Sequence, residues 1–121
     1  MYPFGAILEI QKTLYKHVAV YLGNGMVLQN HHNRGEEVVP LYVFSQGSSI
    51  AVRPDVVDDP SLLLQRAQWI ASNPKPYNLF SNNCEHTVYR AVSGKSWSPQ
   101  LAMFGALFIL GAAGLAIARA K

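Results

Sequence analysis

Asn83-Cys84-Glu85-His86 holds the only cysteine of the chain and sets it where a helix begins. Asn83 is a good N-cap, residues 84–92 have helix-compatible spacing with Val88 and Val92 on one face, and Gly94 is a stop signal. Cys84 then falls in the first helical turn. There the unpaired backbone N–H groups and the positive end of the helix dipole favour a thiolate, and the same N–H groups can receive an oxyanion. The position suits a nucleophile; a buried, inert cysteine is the plainer alternative. A single cysteine also excludes an internal disulfide framework, so the fold relies on its core.

Upstream of this helix the chain reads as strands first and helices later. Residues 5–10 form a short apolar strand, and His17-Val18-Ala19-Val20-Tyr21-Leu22 a second one rich in β-formers. Gly23-Asn24-Gly25 tolerates positive φ and signals a hairpin, with residues 26–30 returning antiparallel. Residues 37–39 and 49–53 are short extended segments, punctuated by Pro40, Gly47 and Pro54. Pro60 opens a helix over 61–71, where Leu63, Leu64, Ala67 and Ile70 give a core-facing stripe and Asn73-Pro74 ends it. Tyr77, in the loop that leads to Cys84, reads as a cover for the core. Glu36-Glu37 and Asp58-Asp59 read as solvated loop charges, not as paired catalytic carboxylates. The pattern implies an α+β fold, a small antiparallel sheet with a nucleophile helix.

A thiol enzyme also needs a base and a group to hold that base. Side chains alternate along a strand, so His17, Ala19 and Tyr21 share a face, and small Ala19 leaves room beside the imidazole. Across the hairpin, Gln29 and His31 share a face. His17, Gln29 and Cys84 supply the required set if the Cys84 helix packs on this sheet, with His31 the other choice for the third position. A purely structural strand histidine is the alternative for His17. His86 lies about 200° round the helix from Cys84 and is poorly placed. A metal site from His17, His31, His32 and Cys84 is conceivable, but the spacing matches no standard zinc pattern. No metal and no cofactor are expected.

Half of the 121 residues are hydrophobic and 14% are charged, and much of the apolar weight lies at the end of the chain. From Leu101 to Ala118 the sequence LAMFGALFILGAAGLAIA has no charge, and Arg119 and Lys121 follow. About 18 residues at 1.5 Å rise reach roughly 27 Å, close to the hydrocarbon thickness of a bilayer. Lys95 and Trp97 before the run, and Arg119 and Lys121 after it, suit the interfaces. A single transmembrane helix over 101–118 is the expectation, and a buried core helix or hairpin the alternative. Gly105, Gly111 and Gly114 would let a second helix approach closely, which permits a homo-oligomer. Met1-Tyr2-Pro3-Phe4 lacks the basic leader of a secretory signal, so the expected arrangement is a cytoplasmic domain on a C-terminal anchor. The net charge of +3 comes from scattered Lys and Arg, without a basic stripe interleaved with aromatics. Nucleic acid is therefore a poor partner, and anionic headgroups a better one.

Gly5-Ala6-Ile7-Leu8-Glu9, the run from His17 to Gly25, and Asn82-Asn83-Cys84-Glu85-His86 together resemble the lecithin:retinol acyltransferase family and its phospholipase/acyltransferase relatives. That family stands with the NlpC-type thiol peptidases, in a permuted papain-like order in which His precedes Cys. The resemblance implies Cys84 as nucleophile, His17 as base, and transfer of phospholipid acyl groups through a thioester to water, an amine or an alcohol. One departure is plain: twelve residues after His17, where the acyltransferases typically carry a second histidine, stands Gln29. A glutamine carbonyl can still accept from an imidazole. Glu85 and His86 match the motif, and their expected role is to fix the helix start and its packing.

The resulting division is a thiol acyltransferase/hydrolase domain over 1–94, a linker over 95–100, the transmembrane helix over 101–118 and a basic tail over 119–121. The expected substrate is a membrane phospholipid. A cysteine peptidase or amidase of the NlpC type, and a non-enzymatic membrane-anchored binding module, are the other readings.

Overall fold

The computed structural model describes residues 2–54 and 59–105. Five strands, β1 (Ile7–Gln11), β2 (Lys16–Gly23), β3 (Met26–His31), β4 (Gly35–Pro40) and β5 (Ala51–Val52), form one antiparallel sheet in the order β4-β3-β2-β1-β5. Among the described residues, α1 (Leu41–Ser45), α2 (Pro60–Ser72) and α3 (Cys84–Ser93) accompany it, with further helical turns over 99–105. The β2–β3 hairpin turns through Gly23, Asn24 and Gly25, at φ of 85°, 53° and 73°. Two glycines around an asparagine suit that left-handed backbone.

The sheet is covered on both faces, so its strands carry apolar residues at consecutive positions. Ile7, Val18, Val20 and Leu28 pack against Leu63, Ala67 and Ile70 of α2 and Val88, Ala91 and Val92 of α3. The alternate residues Leu8, Ile10, Ala19, Tyr21 and Val27 face the other way, around Phe44 of α1. The helix α1 has no counterpart in the sequence reading. Its residues Leu-Tyr-Val-Phe favour extended structure, and packing of Phe44 on the sheet decides against that local preference.

Two expectations about charges are corrected. Glu36 is 4% exposed, not solvated. Its carboxylate accepts from Thr87 Oγ1 at 2.6 Å and the Lys75 amide at 2.7 Å and pairs with Arg90 at 2.5 Å, fastening α3 to β4 and to the 73–83 loop. Glu37 is half-buried and paired with Arg34 at 2.8 Å. Asp59 is solvent-exposed and caps α2, accepting from the Ser61 amide at 3.1 Å. Asp58 lies outside the described residues.

Residues 99–105 are helical. Ser98 begins these turns, its carbonyl accepting from the Ala102 amide and its hydroxyl from the Leu101 amide. Among the described residues no helix is long and apolar enough to cross a membrane. Residues 106–118 of the expected span, with Gly111 and Gly114, lie outside the described residues.

Glu36→Ala strands the Arg90 guanidinium and the Thr87 hydroxyl in a largely water-excluded site. A loss of about 3–5 kcal/mol is expected in denaturant unfolding. Asp59→Ala removes one exposed cap and should cost about 1 kcal/mol.

Candidate functional site

The start of α3 is fixed by side chains that satisfy its free amides. Asn83 Oδ1 accepts from the Glu85 amide at 2.9 Å and the His86 amide at 3.1 Å, while the Asn83 amide donates to His86 Nδ1 at 3.0 Å. This reciprocal pair is a capping box with histidine in the place usually held by Glu or Gln. His86 thus secures the helix start, as expected. At the other end Gly94 takes φ 77° and closes the helix. From the sheet, Asn30 Nδ2 donates to the Asn82 carbonyl at 2.8 Å and to Thr87 Oγ1 at 3.1 Å.

This grip sets Cys84 against the first residues of β2. Its thiol donates to the Lys16 carbonyl at 3.8 Å, and the Val18 amide points at the sulfur from the other side of His17. The sulfur meets backbone on both sides of His17 and makes no hydrogen bond to the imidazole among the described residues. It belongs to the apolar cluster with Val18 and Val20. His17 pairs across the sheet with Ile10, on the face of Phe44, whose ring lies 5.3 Å from the imidazole.

His17 and Gln29 do come together. His17 Nε2 lies 3.0 Å from Gln29 Oε1, and Gln29 Nε2 donates to Glu37 Oε2 at 2.9 Å. Glu37 sits opposite Gln29 on β4 and is gripped by both Nε and Nη2 of Arg34. The carboxylate fixes which way the amide points. Its oxygen must face the imidazole, so Nε2 carries the ring proton and Nδ1 keeps its lone pair. His31 does not hold His17: its ring stacks on His32 at 4.6 Å and its Nδ1 accepts from the Asn33 amide at 3.1 Å.

Residues 1–97 match a family model described as Lecithin retinol acyltransferase. The chain belongs to the lecithin retinol acyltransferase family. No curated protein matched it. Membership points to acyltransferase or phospholipase chemistry of a thiol enzyme, and the matched span contains the whole site just described.

In this family member the resting thiol and imidazole are both neutral. Burial pushes Cys84 up to about 11, against the Val18 and Glu85 amides, which favour the thiolate. Burial also lowers His17 to about 4, outweighing the bond to Gln29, and Lys12, His31 and His32 add repulsion. Burial thus favours the uncharged form of each group.

Glu85, next to the thiol, is fully buried. Its Oε2 pairs with Arg53 at 2.7 Å, and its Oε1 accepts from Ser98 Oγ at 2.6 Å and the Gln100 amide at 2.8 Å. Gln100 also clasps the Lys16 backbone, accepting from its amide and donating to its carbonyl, each at 2.8 Å. The segment expected as a linker is thus fastened beside the site by Ser98 and Gln100.

Two tyrosines stand near the thiol. Tyr77, expected to cover the core, belongs to neither apolar cluster. It sets its ring edge-on to His32, and its phenol is pushed up to about 12, first by burial and then by the Cys84 sulfur. Tyr15 is raised for the same two reasons, and the sequence offered no signal for it, because a tyrosine in a turn carries no periodicity. Among the described residues no three His, Cys, Asp or Glu side chains converge as metal ligands.

The depressed His17 value makes stability depend on pH. The unfolded chain takes up this proton below about 6.5, the folded chain only below about 4. The contribution is therefore complete above pH 6.5 and is lost as pH falls towards 4, on the order of 3 kcal/mol in all. Urea unfolding between pH 7 and 4 is expected to show this decline in the native chain and a shallower one in His17→Gln.

Proposed function

We infer that this protein is a membrane-anchored thiol enzyme that transfers or hydrolyses acyl groups of phospholipids through a Cys84 thioester. The observation that carries the reading is the thiol at the capped first turn of α3, against the strand backbone on both sides of His17, within the span that matches the family. His17 is the base, oriented by Gln29.

In the first half-reaction His17 takes the Cys84 proton as the sulfur attacks the ester carbonyl carbon, which requires the two side chains, set towards opposite faces of β2, to turn towards one another. Because the resting pair is neutral, proton transfer accompanies attack. The Cys84 amide, which the Asn83 cap does not occupy, and the positive end of the α3 dipole stabilise the oxyanion of the tetrahedral intermediate. Collapse breaks the acyl C–O bond, and the lysolipid alkoxide leaves with the proton from His17. In the second half-reaction water, an alcohol or an amine gives a proton to His17 and attacks the thioester. The released sulfur takes that proton back. The balance is one ester cleaved and one acid, ester or amide formed, with no oxidant or cofactor.

The uncharged run over 101–118 supports anchoring, since confinement to the bilayer surface raises the effective concentration of a lipid substrate without new contacts. The expected arrangement has the site on the cytoplasmic side.

Incubation with phospholipid should add an acyl mass to the intact protein, labile to hydroxylamine and absent in Cys84→Ser. Lipid turnover unchanged in Cys84→Ala would sink the thiol mechanism. A peptide-derived adduct without an acyl adduct moves the assignment to peptidase, and an accessible thiol inert to both classes moves it to a binding module.

The base is tested separately. His17→Ala should lower kcat at least about 10²-fold with the fold retained. Gln29→Ala should cost less, because Gln29 only orients the ring. A severe His31→Ala alongside a silent Gln29→Ala would give the third position to His31.

A further inference from the structure

We propose that the groove between the β1–β2 turn and the helical turns over 99–105 is the binding site for the acyl chain. This inference rests on the phospholipid reading above. Leu14 of the turn, Val52 of β5, and Met103 and Phe104 of the helical turns line an open groove of about 580 Å³. These side chains are 83%, 50%, 64% and 55% exposed, so they offer apolar surface to a ligand. The volume falls in the range of small-molecule ligand sites.

Lys16, Glu85 and Gln100 also line the groove, which sets it beside the buried thiol: the sulfur touches the Lys16 carbonyl, Gln100 holds the same carbonyl, and Glu85 follows Cys84 in the chain. The charges on its floor are neutralised among themselves, Glu9 with Lys16 and Arg53, Glu85 with Arg53. An uncharged chain can therefore lie over them without stranding an ion.

Tyr15 is shared between this groove and a second cavity of about 80 Å³, lined by His17, Gln29, Lys12, His31 and His32. That cavity is too small and too polar for an acyl chain, which leaves the groove as the apolar side of the site. Phe104 of the groove is followed in the chain by Gly105 and by residues 106–118, which carry no charge.

The test uses the full chain in phosphatidylcholine nanodiscs, with p-nitrophenyl esters from acetyl to decanoyl. Partition into lipid is common to native and variant protein, so the readout is the difference between their slopes. In the native chain kcat/KM should rise about two- to fourfold per added methylene. Leu14→Asp and Phe104→Asp should flatten that slope. A direct measurement needs no catalysis: decanoate titrated into Cys84→Ala should shift the Met103 methyl resonance, and Leu14→Asp should abolish the shift.

A native slope that survives in both variants overturns the groove and leaves the thioester reading standing. An unchanged slope with lost vesicle binding in the variants also overturns it, reassigning the face to bilayer docking. No turnover of any ester takes down the reading on which the inference rests; a Met103 shift that still appears would retain the groove as a fatty-chain site on its own.

Discussion

Asn30 reaches from the sheet to the first turn of α3, and the placement of the Cys84 thiol against β2 follows from that contact. A helix start leaves amides without partners, so a sulfur there sits among donors whose position is only as definite as the helix end itself. Here the end is fixed by Asn83 and His86 from within and by Asn30 from the strand. The Glu36–Arg90–Thr87 cluster grips the same helix farther along. The thiol is therefore presented by a rigid element, without depending on the loop that precedes it.

Burial explains the electrostatics of the candidate pair. Both Cys84 and His17 are displaced towards their uncharged forms by the same cause, removal of water, and the polar groups around them only moderate it. A charge that develops during attack then finds few competing waters and several fixed dipoles. The Gln29–Glu37–Arg34 chain contributes in a different way. It places a full carboxylate behind a neutral amide, so the ring is oriented by a strongly held group that carries no charge of its own. Such an arrangement gives glutamine a definite orientation at the position where the family typically carries histidine.

Much of this was readable in the residues because it is local. The apolar, β-forming runs of β1, β2 and β3, the Gly23–Gly25 turn, Pro60 at the head of α2 and Asn83 and Gly94 at the ends of α3 are each signalled within a few residues. The His17–Gln29 contact was legible as well, since a tight hairpin fixes which residues of its two strands face one another. What stayed hidden depends on distant partners. Glu36 reads as a surface charge until Arg90 is known to lie across from it. Tyr15 and Tyr77 flank the thiol only because two loops far apart in sequence meet there. The helix α1 formed against its own β preference because Phe44 gains a buried position over the sheet.

Gln100 and Ser98 give the site a mechanical property. Gln100 holds both backbone groups of Lys16, the residue before His17, and together with Ser98 it binds Glu85, the residue after Cys84. The segment that leads out of the domain is therefore bolted to the immediate neighbours of both candidate catalytic residues. Whatever holds the apolar residues that follow cannot swing freely about this point. A torque applied there is carried by short polar links into the two strands of backbone that frame the sulfur.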